Sequence, residues 1–195
     1  MRIRGDKLAG LARGRGLGVE ALAGAVARKG LDRERAVSAV RNWMRGSDHP
    51  RCKPEDIRNL ATALGADVSE LVRFTSIHRQ HRGSPRKAAL LVDMIRGKSY
   101  TDATRMLEFT PKRAAVDVHK ALEAARSDAE QVVSKGEIDR LVVAESRVDE
   151  GPTMKRFQPK DRGRAHRILK RTSHITIGLE VGELETAGAA REGSK

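Results

Sequence analysis

Cysteine is nearly absent: Cys52 stands alone among 195 residues. A single thiol excludes an intramolecular disulfide framework and a multi-thiolate zinc site, and it fits a reducing compartment. Aromatic residues make up only 3%, with three Phe, one Trp and one Tyr. Any core is therefore aliphatic and alanine-rich, and a base-stacking surface that needs several aromatic faces is disfavoured. No apolar run approaches the ~18–20 residues of a membrane span, so no membrane partner is expected. The basic start, MRIRGDKLAGLARGRG, has no apolar stretch of the signal-peptide kind. Asp6 and the glycines at 5, 10, 14, 16 and 18 make it a poor amphipathic presequence helix. Acidic residues are also short, with 26 Asp and Glu against 39 Lys and Arg, for a formal net charge of +13. That field favours polyanions, nucleic acid first.

What is present divides into segments. The fold class is α+β. Residues 1–75 read as a small all-α bundle, and 76–181 as helices followed by strands. Residues 182–195 read as a disordered tail, because ELETAGAAREGSK lacks periodicity. In the first segment Val19, Leu22, Ala23 and Val26 follow helical spacing, with Gly30 as a stop and Asp32 as the next cap. Ala36, Val37, Val40, Trp43 and Met44 line a second face that Gly46 closes. Pro54 opens a third helix, with Ile57, Leu60, Ala61 and Leu64 inward and Gly65 at its end. Val68, Leu71 and Val72 fit one last short turn.

In the second segment Ser84-Pro85 starts a helix that buries Ala88, Leu91, Val92 and Ile95 and ends at Gly97. Ser99 to Asp102 forms a capping box with Asp in place of Glu. Thr110-Pro111 opens a longer helix with Ala114, Val118, Ala121, Leu122, Ala125 and Ala129 inward. Leu141–Val148 is a β-branched run, and Ile175, Ile177, Leu179 and Val181 alternate with Thr176, Gly178 and Glu180.

Between these strands lies a basic hairpin over 153–171. It carries eight Lys or Arg, namely Lys155, Arg156, Lys160, Arg162, Arg164, Arg167, Lys170 and Arg171, against the single acid Asp161. Pro159 and Gly163 can make the turn. Arms of about nine residues at ~3.3 Å each would reach roughly 30 Å. A free ribbon of that length is not stable in water, so the reading is a finger ordered inside nucleic acid. A flexible solvated loop is the plainer alternative.

Other chemistry finds little support. Asp149-Glu150 and Ser173-His174 are sequence neighbours on strands, where adjacent side chains point to opposite faces. His78 and His81 with the distant Cys52 are weak evidence for a metal. No catalytic residue, metal or cofactor is expected.

Two stretches, SPRKAALLVDMIRGKSYTDATRMLEFTPKRAA (Ser84–Ala115) and VDEGPTMKRFQPKDRGRAHRILKRTSHITI (Val148–Ile177), resemble the universal large-subunit ribosomal protein twenty-two family, the bacterial L-twenty-two type. The likeness runs from about His78 to Val181. It implies three helices packed on a three-stranded antiparallel sheet with a long basic β-hairpin. It implies a cytoplasmic, bacterial-type structural protein of the large subunit that binds rRNA and aids assembly. The implied partners are large-subunit rRNA, neighbouring ribosomal proteins and the nascent chain, because the family's hairpin lines the peptide exit tunnel. Contact with rRNA is carried onto Arg82, Arg86, Lys87, Lys98, Lys112 and Arg113 and onto the eight hairpin bases. The tip is Gln158, Pro159, Lys160, Asp161, Arg162, Gly163 and Arg164. Asp161 departs from the small or basic residue usual there.

Residues 18–74 resemble the lambda-repressor-type helix-turn-helix group. The carrying residues are Leu22-Ala23, Trp43-Met44-Arg45-Gly46 with Pro50, the run IRNLATALG from Ile57, and Val68 to Leu71. If Arg33–Arg45 were a recognition helix, Arg33, Arg35, Ser38, Arg41 and Asn42 would face a major groove. The alternative function is thus a non-ribosomal or dual-role regulator that binds DNA or mRNA through residues 1–75. A surface extension of the ribosome and a docking platform are the other two readings of this segment.

Overall fold

The structure is a computed structural model that describes residues 1–26, 28 and 31–182. The helix stop expected at Gly30, and the expected tail past Gly182, lie outside the described residues. The chain divides into two units, Met1–Phe74 and Thr75–Lys195.

The first unit holds β1 (Arg2–Ile3), α1 (Gly5–Gly14), α2 (Val19–Val26), α3 (Arg33–Met44), α4 (Pro54–Leu64) and α5 (Val68–Leu71). The three main apolar stripes form α2, α3 and α4 as their spacing predicts. They bury Leu22, Val26, Trp43, Ile57, Leu60 and Leu64 almost completely. Each such side chain contributes about 1.5–3 kcal/mol of hydrophobic stabilisation, which no single short helix retains alone. Gly65 closes α4 in the left-handed conformation (φ 52°), and Gly46 follows α3 with φ 84°.

The glycines that make this segment a poor presequence helix do not prevent α1. Gly5 is instead a packing requirement: a Cβ there would stand 2.2 Å from the Trp43 carbonyl oxygen. Its absence lets α1 lie against α3, and Leu8 and Ala12 are buried.

A strand, β2 (Val72–His81), runs from the first unit into the second. Val72 begins this strand rather than ending the short turn that its spacing suggests. Residues 2–3 pair antiparallel with 72–73. The second unit continues with α6 (Pro85–Ile95), α7 (Tyr100–Glu108), α8 (Arg113–Glu130), α9 (Lys135–Ile138), β3 (Leu141–Glu150), β4 (Met154–Pro159), β5 (Ala165–Lys170) and β6 (Ser173–Val181). In the second unit β2, β6 and β3 are neighbours in that order, the three strands of the expected sheet.

The strands β3 and β6 pair antiparallel from Leu141 opposite Val181 to Glu150 opposite Ser173. Against them α6 brings Leu91, Val92 and Ile95, and α8 brings Val118, Leu122 and the alanines at 114, 121, 125 and 129, all buried. Small side chains on α8 permit its close approach to the sheet. Ser146 is buried on β3, where its Oγ donates to the Val92 carbonyl at 3.1 Å. Arg96 donates to the Ser146 carbonyl at 2.7 Å. Ser99 caps α7 by accepting from the Asp102 N–H, as the capping box predicts. The long helix begins at Arg113, two residues past Pro111. Thr110 belongs to the turn before it, its hydroxyl donating to the Met106 carbonyl at 2.6 Å.

Candidate nucleic-acid interface

The cations gather around one loop. Arg82, Gly83 and Ser84 connect β2 to α6 and stand between two clefts. The first cleft, of ≈ 590 Å³, is walled by this loop and by the starts of α6 and α8. It brings Arg82, Lys87, Lys112 and Arg113 together beside Leu90. Two helix N-termini open here, and their unpaired N–H groups add partial positive charge to the four side chains. The second cleft, of ≈ 580 Å³, joins the same loop to the foot of the hairpin, adding Arg156, Lys170 and Arg171. All seven cations are exposed.

A residue that sequence reasoning left as a weak metal candidate fixes this loop. His81 is only 4% exposed and lines the first cleft. Its Nδ1 lies 2.6 Å from Asp117 Oδ2 on α8, which orients the ring. His78 Nε2 lies 3.9 Å from the other oxygen of the same carboxylate. Gly83 closes over the imidazole, for a Cβ there would meet His81 Nε2 at 2.3 Å. The two histidines thus position a wall of the cleft. Cys52 belongs to the first unit, and the described residues hold no group of three or more His, Cys, Asp or Glu able to bind a metal.

The hairpin is a two-stranded ribbon, β4 with β5, paired from Met154 opposite Lys170 to Pro159 opposite Ala165. Every residue from Thr153 to Arg171 is exposed. Lys155 and Arg167 lie on one face and Arg156 and Lys170 on the other, because directly paired residues share a face. The ribbon therefore presents charge on both sides. At the tip the Lys160 N–H donates to the Arg164 carbonyl at 2.7 Å. Arg162 and Gly163 both take positive φ, 57° and 71°. A left-handed conformation suits glycine, but for arginine it costs about 1 kcal/mol. Asp161 stands exposed in the same turn.

At the foot, the β3–β6 ladder ends at Glu150–Ser173 and the ribbon restarts at Met154–Lys170. Three residues on one arm, 151–153, face two on the other, 171–172. That offset is the signature of a bulge. The Gly151 N–H donates to the Thr172 carbonyl at 2.9 Å, and the Thr172 hydroxyl donates to the Pro152 carbonyl at 2.7 Å. Nothing in the residue pattern announced this joint.

Other expected contact residues stand apart. Arg86 is exposed on α6 outside both clefts, and Lys98 is exposed on a loop whose backbone pairs with Val143 at 2.9 Å in each direction. Lys160, Arg162 and Arg164 are at the tip. In the first unit Arg33, Arg35 and Arg41 are all exposed on α3. At 3.6 residues per turn, Arg33 and Arg35 point about 160° apart. Glu34 projects within about 20° of Arg41. The Asn42 amide is occupied, donating to the His49 carbonyl at 2.9 Å.

A family model described as ribosomal protein L22p/L17e matches residues 76–180, more than half of the chain. The chain belongs to this family. The match covers both clefts, the joint and the whole hairpin. As a ribosomal protein L22p/L17e, the chain is a structural constituent of the large subunit that binds rRNA, and the family is not one of enzymes. In proteins that bind nucleic acid, contacts from exposed cations to phosphates generally set position and orientation. Among the described residues no helix is long and apolar enough to cross a membrane.

Proposed function

We propose that the protein grips rRNA on both sides of the Arg82–Ser84 loop and sends its hairpin along the nascent-chain exit tunnel. In this reading the tip, Gln158 to Arg164, stands at the tunnel wall, and the hairpin helps assembly by fixing separate rRNA segments to one another. One observation carries it: a ribbon with eight cations exposes every residue from Thr153 to Arg171. Such a ribbon repels itself unless a polyanion lies along both faces. Neighbouring ribosomal proteins and the emerging chain are its further partners, on a cytoplasmic ribosome of bacterial type. The first unit is read as an extension of the ribosomal surface. The dispersed arginines of α3 do not compose the single face that a DNA-reading helix presents.

Deleting Arg156–Arg167 tests the proposal. The shortened protein should still join large subunits, while rRNA nucleotides of the tunnel wall become newly reactive to chemical probes. Failure to join the subunit at all would show that the globular clefts are not the main anchor. Unchanged reactivity in the tunnel would refute the placement of the hairpin.

A further inference from the structure

The first unit lies outside the family match. It has a groove of its own, of ≈ 360 Å³, between the end of α1, the start of α2 and the end of α3. Its floor is apolar, made by Ala12, Leu17, Val19 and Met44. Its rim is three arginines, Arg13, Arg41 and Arg45, all exposed. No carboxylate lines it. We propose that this groove docks an acidic amphipathic protein segment, which places an apolar side chain on the floor and carboxylates on the arginine rim.

Charge complementarity selects the occupant. Arg41 on the last turn of α3 and Arg45 at its C-cap are four residues apart, so they project to the same side, and Arg13 lines the same groove. None of the three has a carboxylate partner among the described residues. Guanidinium groups pair with carboxylates and phosphates alike. The floor separates the two: it is aliphatic and offers no aromatic face on which a base would stack, whereas a helix with leucines on one face and glutamates beside them fills it.

The rim is also held ready. Trp43 is fully buried between Arg41 and Arg45, and its Nε1 donates to the Pro50 carbonyl at 2.7 Å. Asn42 is tied to His49, and Gly5 packs on the Trp43 carbonyl. The backbone that carries Arg41 and Arg45 is therefore fixed before binding, and only the arginine side chains have freedom to lose.

The test uses the full-length protein with isotope-labelled backbone amides. The probe is a short synthetic peptide with Leu on one helical face and Glu on the other. A second peptide has each Leu replaced by Ser, and a third probe is a single-stranded RNA oligonucleotide of matched charge. Amide shifts at Leu17, Gly18, Val19 and Met44 report the groove alone, so attraction to the hairpin is not counted. The Glu/Leu peptide should move these amides saturably, with the Glu/Ser peptide about fivefold weaker for want of an apolar anchor. The double variant R41E/R45E should weaken groove binding about tenfold and leave the hairpin response unchanged. Should that variant unfold, Met44→Gln must show the anchor loss alone. Equal response to the two peptides, or no effect of Met44→Gln, would overturn the proposal. So would an oligonucleotide that moves these amides at lower concentration than the peptide, which would make the groove a nucleic-acid surface.

Discussion

Replacing Arg82, Lys87, Lys112 and Arg113 together by alanine removes every Lys and Arg that lines the first cleft. All four are exposed, so the substitutions should leave thermal stability within about 0.5 kcal/mol per site. The effect should fall on the salt dependence of rRNA binding. Each phosphate neutralised adds ~0.7 to the slope of log affinity against log salt for single-stranded RNA, and ~0.9 for a duplex of the B-DNA kind. If each cation meets one phosphate, the slope should shrink by about 3. Between about 50 and 200 mM salt the parent protein would then lose about 60-fold more affinity than the variant. Fluorescence anisotropy with a labelled large-subunit rRNA fragment, across that range, reads both quantities. Parallel lines would refute the reasoning even if the variant bound more weakly overall. The four side chains would then act through the fold or through uncharged contacts, and the cleft would not be a phosphate site.

Three further outcomes concern the first unit. Gly5→Ala forces a methyl group into the Trp43 carbonyl and should destabilise the unit by about 3 kcal/mol in urea unfolding. Asp56 is 1% exposed, and Arg28 donates to its Oδ2 at 3.0 Å. Asp56→Ala should cost about 3 kcal/mol, near the low end for a broken buried pair because Arg28 retains some solvent. Cys52 is buried, and burial first, then Asp56 and Asp48, push its thiol far above the usual range, with Arg28 opposing. Its folded form therefore keeps the proton when the unfolded form has lost it. Stability should fall by about 1.4 kcal/mol per pH unit above about pH 8.5, and Cys52→Ala should abolish that slope in urea titrations.

Much of this molecule is written in its side-chain spacing. The stripes of α4, α6 and α8 are apolar at helical intervals, and the residues those stripes nominated are buried; on α3 Ala36, Val40 and Trp43 are buried, while Val37 and Met44 are only half-buried and Ala39 takes a core place instead. Of the elements that escaped, two show why. The glycines of α1 look like breakers in a sequence, and only the neighbouring carbonyl shows why Gly5 must lack a side chain. In β2 the run VRFTSIHRQH mixes charge with apolar residues and alternates only at its start, because its strand character comes from pairing with β6. The interface divides in the same way. Its charge was legible, since 39 cations against 26 acids leave many with no internal partner. That Arg82 belongs to two clefts at once, with His81 and Asp117 setting the loop, depends on residues 36 apart in sequence, a distance no local pattern spans.

The joint at Gly151 and Thr172 makes the hairpin a pointer whose bearing is set at its root. With a reach of roughly 30 Å, a swing of about 10° at the foot carries the tip about 5 Å sideways, close to the spacing of two strands. A methyl group at position 151 would press on the Thr172 hydroxyl at 2.5 Å and has no flexible chain end to displace. The smallest alteration at the base is therefore the largest at the tip. A residue at the root can govern what the far end meets.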